Sequence, residues 1–148
     1  MRELAMKLYT IGFTKHTAEA FFEKLKSAGV KQVIDIRINK TSQLAAFAKG
    51  SDLPYLLKAT GGIEYLSHSE LAPTKELLKS YRSKEITWGE FEKRYKKQIE
   101  DTKAILGLNK SEFQDACLLC SEETAEKCHR RLLAEELAQI WGAEIIHL

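Results

Sequence analysis

Toward the C-terminus, the run Cys120-Ser-Glu-Glu-Thr-Ala-Glu-Lys-Cys128-His-Arg-Arg131 gathers two thiols, one imidazole, two guanidiniums and three carboxylates into twelve residues. A thiol at a helix start is easier to ionise, because free backbone N–H groups and the helix dipole favour negative charge there. The same N–H groups would hold a phosphate or other anion. Cys120 and Cys128 are therefore candidate nucleophiles, with His129 or Glu122 assisting and Arg130 as an anion clamp. Glu122, Glu123 and Glu126 already supply negative charge to this segment, so a self-satisfied helix start with Cys128 packed toward Leu132 stands beside phosphate-type binding and a reactive cysteine. The spacing Cys117-x-x-Cys120, then Cys128-His129, also invites zinc. Residues three apart on a strand point to opposite faces, and neighbours on a helix diverge, so no metal site is predicted and Cys117 reads as core.

A second group lies in Gln32-Val-Ile-Asp-Ile-Arg37. Period-two alternation puts Val33, Asp35 and Arg37 on one face and Ile34, Ile36 and Ile38 on the other. A carboxylate on a face covered by helices needs a partner. An Asp35–Arg37 or Asp35–Arg130 ion pair would close the strand end; alternatively, Asp35 orients a base or acts as acid or base while Arg37 holds an anion. Upstream, Tyr9-Thr-Ile-Gly-Phe-Thr14 adds Thr10, Gly12 and Thr14 at another strand end. Tyr65 and His147, on later strands, could reach the same crevice, whereas His16 and His68 read as ordinary loop residues.

Between 75 and 97, eight basic residues face four acids, with Tyr81, Trp88 and Tyr95 among them. Basic residues interleaved with aromatics can follow a nucleic-acid backbone. The spacing fits better a solvated lysine face backed by a core stripe of Trp88, Phe91, Tyr95 and Ile99.

The elements that must position these groups alternate. A strand over Lys7–Ile11 is followed by a helix that Thr17 caps and Gly29 closes, then by a strand over 32–37. A loop, a short helix from Asp52-Leu-Pro54 to Gly61-Gly62 and a strand over 63–66 come next. The pattern continues with a helix over 74–83 and a long one opened by the capping box Thr87-Trp-Gly-Glu90 and stopping at Gly107. A strand over 115–120, a helix over 123–141 and a strand over 143–147 complete it. Strands alternating with helices predict one α/β domain over residues 1–148, with a mostly parallel, Rossmann-like sheet of about five strands and helices on both faces. Ligands of such sheets bind beyond the carboxyl ends of the strands, where three strand tips carrying these residues are expected to form one pocket.

The 148 residues and 44% hydrophobic content suit a single core. No apolar run approaches a membrane span and no signal-peptide pattern opens the chain, so a cytoplasmic location is expected. A net charge of +2 excludes a general nucleic-acid coater and makes any anion site local. Three cysteines fit a reducing compartment better than a disulfide scaffold.

Tyr9-Thr-Ile-Gly-Phe-Thr14, Asp35-Ile-Arg37, Gly62-Ile-Glu-Tyr65, Leu119-Cys-Ser-Glu122, Cys128-His-Arg130 and Ile146-His147 occur in this order over about residues 8–147. In that arrangement the chain resembles the prokaryotic domain-of-unknown-function family 488. The resemblance implies a compact cytosolic α/β domain with Thr10, Gly12, Asp35, Arg37, Cys120, Glu122, Cys128, His129 and Arg130 as its site. Commoner versions of the first motif look like Thr-Ile-Gly-His-Ser, where this chain has Phe13 and Thr14.

The leading expectation is an enzyme acting on an anionic, phosphate-bearing ligand related to nucleotides or nucleic acid, with Arg37 and Arg130 as clamps and Asp35 or Glu122 as acid or base. The alternatives are a non-catalytic nucleotide- or nucleic-acid-binding module and a cysteine-dependent enzyme. No pattern names a cofactor or an oligomeric state.

Overall fold

The computed structural model describes residues 6–38, 48, 51–120 and 128–148. Five strands, β1 (Lys7–Gly12), β2 (Gln32–Asp35), β3 (Glu64–Ser67), β4 (Ala116–Cys120) and β5 (Glu144–His147), form one sheet in the order β3-β2-β4-β1-β5. Every pairing is parallel, so all five carboxyl ends lie along one edge. The helices are α1 (Ala18–Ala28), α2 (Leu53–Gly61), α3 (Lys75–Arg82), α4 (Trp88–Thr102) and α5 (His129–Trp141). The architecture is the parallel α/β sheet that alternation of the elements predicts.

Alternation along each strand divides the core in two. Tyr9, Ile11, Val33, Cys117 and Leu119 pack with Phe21, Phe22, Leu25, Leu53 and Leu57 of α1 and α2. Leu8, Ile34, Ala116 and Leu118 pack on the other face with Leu77, Phe91, Tyr95, Ile99, Leu132, Leu133 and Leu137 of α3, α4 and α5. The three central strands are buried on both sides, which is why their sequences are nearly continuous in apolar residues.

Local signals explain most boundaries. Thr17, Thr74 and Thr87 accept from the backbone N–H three residues on and so start α1, α3 and α4. Gly29 ends α1 in the left-handed conformation, at φ 78°.

Three expectations need correction. β2 stops at Asp35 rather than 37, because the Asp35 carboxylate takes the Arg37 N–H that a ladder would have used. α4 ends at Thr102, not near Gly107, because Lys103 itself adopts the left-handed cap at φ 53°. α5 begins at His129 with Cys128 as its cap, not at 123. Residues 39–47 and 121–127, which include Glu122, lie outside the described residues.

Candidate functional site

The described polar residues gather at the carboxyl edge of the sheet. They form two clusters, one on each face of the sheet.

On the α1/α2 face, Asp35 is fully buried and bound by Arg37 in a two-pronged pair, Nε to Oδ1 at 2.9 Å and Nη2 to Oδ2 at 2.8 Å. Oδ1 also accepts the Arg37 backbone N–H at 3.1 Å, and Oδ2 accepts the Tyr65 hydroxyl at 2.5 Å. Four donors use the acceptor positions of the carboxylate. Burial, then the hydrogen bond to Asp35, pushes the Tyr65 phenol far above its ordinary range, so it remains a donor at any physiological pH. Arg37 is itself 3% exposed and lies over the Phe13 ring, 5.4 Å from its centroid. The ion pair that closes the strand end is therefore Asp35–Arg37, and its guanidinium is engaged on both prongs.

On the α5 face, Arg130 is 1% exposed and organises the second cluster. Its Nε donates to Thr10 Oγ1 at 3.3 Å, its Nη1 donates to Cys120 Sγ at 3.0 Å, and its backbone N–H donates to Cys128 Sγ at 3.5 Å. Thr10 and Cys120 reach this face because they alternate with Ile11 and Leu119 on neighbouring strands, with Gly12 paired in register to Cys120. Cys128 reaches it as the cap of α5. The Cys120 and Cys128 sulfurs adjoin. Their Cα atoms are 7.7 Å apart, wider than the roughly 6.8 Å upper span of a relaxed bridge, so we describe them as a thiol pair in contact.

Two histidines flank this cluster. The Thr10 hydroxyl, which accepts from Arg130, also shares a hydrogen bond with His147 Nδ1 at 2.5 Å. Burial, and then the positive charge of Arg130, lowers the pKa of His147. His129 is buried, with Nε2 2.9 Å from the Ile36 carbonyl and its ring edge-on to Tyr95, at 5.7 Å between centroids. A carbonyl can only accept, so Nε2 carries the proton and Nδ1 presents its lone pair to Cys128 Sγ at 3.9 Å. Burial, with Arg130 and Arg82 adding to it, pushes the His129 pKa down to about 4 despite the bond to Ile36. The imidazole is neutral at pH 7, and the cation beside the sulfurs is Arg130.

Cys117 faces the opposite core, fully buried, and desolvation pushes its thiol far above the ordinary range although Arg130 pulls weakly the other way. Gly12 is buried at the tip of β1, and Thr14 lies in the turn beyond it. His16 Nε2 meets Lys24 Nζ and His68 Nδ1 meets Glu70 Oε1, while the His68 backbone N–H donates to the Asp35 carbonyl at 2.9 Å. Trp88 and Tyr95 belong to the core stripe, as their spacing predicts. Among the described residues, no group of three or more His, Cys, Asp or Glu could hold a metal ion. None of their helices is long and apolar enough to cross a membrane.

Two relations were not legible in residue types: the contact between Cys120 and Cys128, and the Ile36 carbonyl as the anchor of His129. The first depends on where α5 starts, and the second uses a group every residue carries.

Fold and site thus define a parallel α/β protein with a guanidinium-held sulfur pair at the carboxyl edge of its sheet. The chain belongs to the family described as domain of unknown function DUF488, whose model matches residues 17–137. Searches of curated proteins and of solved structures each found no match.

Proposed function

We propose that the chain is a cysteine-dependent enzyme in which Cys120 and Cys128 share one negative charge beside Arg130 and act on a ligand carrying an anionic group. The observation that carries this reading is that one buried cation donates to both sulfurs, through its side chain to Cys120 and through its backbone to Cys128. A guanidinium and a helix N-terminus each favour a thiolate over a thiol. Two sulfurs in contact add a third effect, since the remaining S–H donates to the ionised neighbour.

Cys128 is the better nucleophile of the two. It caps α5, and His129 Nδ1 is placed to take its proton in passing. Because the imidazolium is disfavoured, His129 relays the proton rather than storing it, and the lasting counter-charge is Arg130. The phosphate-type ligand expected at this edge finds support in the first turn of α5, whose backbone N–H groups favour an anion, whereas Arg37 is engaged by Asp35. The Asp35 cluster then serves as the rigid wall of the site.

Brief labelling of native, reduced protein with iodoacetamide at pH 6, followed by mass-spectrometric mapping, tests this. Cys120 and Cys128 are expected to be modified well before Cys117. Labelling of Cys117 as fast as of Cys120 and Cys128 in the folded protein would remove the thiolate from the account.

A further inference from the structure

Two sulfurs in contact can exchange electrons as well as a proton. We infer that Cys120 and Cys128 form a reversible redox pair, in which a small hydroperoxide oxidises Cys128 and Cys120 closes the disulfide. The inference rests on Cys128 as the nucleophile of the proposed function, and adds to the same pair a second reaction with its own substrate class.

The arrangement of the sulfurs carries it. They adjoin across a sequence separation of 8, so the group that would resolve an oxidised Cys128 is already in place. Cys120 is the last residue of β4 and Cys128 the cap of α5. Each stands at an element end, where the backbone closes the distance to a bond more readily than inside a strand or helix. Arg130 donates to both sulfurs, which favours the thiolate that attacks peroxide over the thiol that does not. Cys117 faces the opposite core, with its thiol held protonated by burial, so it competes for neither oxidant nor partner.

Burial selects the oxidant. Cys120 and Cys128 are 1% and 2% exposed. A disulfide carried on another protein cannot reach sulfurs so covered, whereas hydrogen peroxide is little larger than a water molecule. The Cys128 thiolate attacks one peroxide oxygen; an S–O bond forms, the O–O bond breaks, and the hydroxide that leaves takes a proton from solvent. Sulfur has then given two electrons to oxygen and become the sulfenic acid. The Cys120 thiol attacks that sulfur; the S–S bond forms, the S–O bond breaks, and the hydroxyl departs as water with the Cys120 proton. A thiol already in contact diverts the sulfenic acid from further oxidation to sulfinic acid. The disulfide holds no thiolate, so the oxidised protein cannot act on its ligand until a small dithiol reduces it.

Treatment of the reduced whole chain with hydrogen peroxide at pH 6, followed by denaturation in iodoacetamide and mass-spectrometric mapping, tests the inference. The expected product joins Cys120 to Cys128 within one chain, leaves Cys117 alkylated and returns to thiols with dithiothreitol. It should form at least about tenfold faster than cystine forms from free cysteine in the same buffer. Cys120→Ser keeps the attacking thiol and removes the resolving one, so dimedone should trap its Cys128 as the sulfenic acid. Cys117→Ala should bridge at the parent's rate. The inference is overturned if no bridge forms, if Cys128 passes to sulfinic acid instead, if the bridge uses Cys117 or links two chains, or if it forms no faster than cystine. Labelling of the untreated protein that favours Cys120 and Cys128, with no bridge under peroxide, would sink the redox step and leave the proposed nucleophile standing. Labelling in which Cys117 keeps pace would remove the nucleophile itself.

Discussion

The two faces of the sheet's carboxyl edge solve the burial of polar groups in opposite ways. On the α1/α2 face, charge meets charge: Asp35 and Arg37 neutralise one another, and Tyr65 fills the remaining acceptor position. On the α5 face, the buried guanidinium of Arg130 donates to a hydroxyl and to a sulfur. Thiols are weak acceptors until they ionise. The first cluster pairs two full charges, while the second sets polarisable sulfurs against a cation. A paired carboxylate secures the fold, and sulfurs held by a cation are suited to chemistry.

That contrast breaks most readily at Arg37. Arg37→Ala would leave the Asp35 carboxylate buried with no countercharge from residue 37, held only by the Tyr65 hydroxyl and the residue-37 backbone N–H, at a cost of about 3–5 kcal/mol in urea denaturation. The sulfur pair of the folded variant should keep its thiolate signal. Loss of that signal with little loss of stability would mean that the two clusters act as one.

The next effect is in pH. His129 has a folded pKa near 4 against an ordinary 6.5, so between these values the unfolded chain binds the extra proton. Stability attributable to His129 is therefore complete above about pH 6.5 and is lost progressively as pH falls toward 4, about 3 kcal/mol in all. His129→Gln should flatten that slope in chemical denaturation measured across this window. An unchanged slope would place the titrating group elsewhere.

A smaller effect is expected at Tyr65, where removing the hydroxyl takes one of four donors from Asp35. Tyr65→Phe should cost about 1–3 kcal/mol, less than Arg37→Ala, because the ion pair survives. If both variants cost the same, the hydrogen bond and not the charge pairing holds this face together.

Much of this arrangement was readable from residue order. The Thr17, Thr74 and Thr87 caps and the alternation along β2 place the helices and divide Asp35 from Ile34 and Ile36, since both signals are local. The Asp35–Arg37 pair is local too, two residues apart in sequence at the end of β2. Cys128 was harder, because a run of polar, helix-compatible residues from 123 onward gives no stop before it. Only when α5 starts at His129 does Cys128 become a cap and meet Cys120. The division into two clusters has a geometric reason: residues that alternate along the strand tips face opposite sides of the sheet. Arg37 and Arg130, similar in sequence context, end on different sides of the sheet.

Cys120 and Cys128 are each no more than 2% exposed, so labelling rates read access as well as charge. The most direct test is therefore an ultraviolet titration of thiolate absorbance in reduced Cys117→Ala protein, beside the same protein carrying Arg130→Gln or Arg130→Lys. We predict a first midpoint below about pH 7, against about 8.5 for an ordinary cysteine, raised by one unit or more by Arg130→Gln and less by Arg130→Lys. A first midpoint at or above the ordinary value, or one that Arg130→Gln leaves in place while the helical signal is intact, would contradict the claim that Arg130 holds a thiolate at this edge.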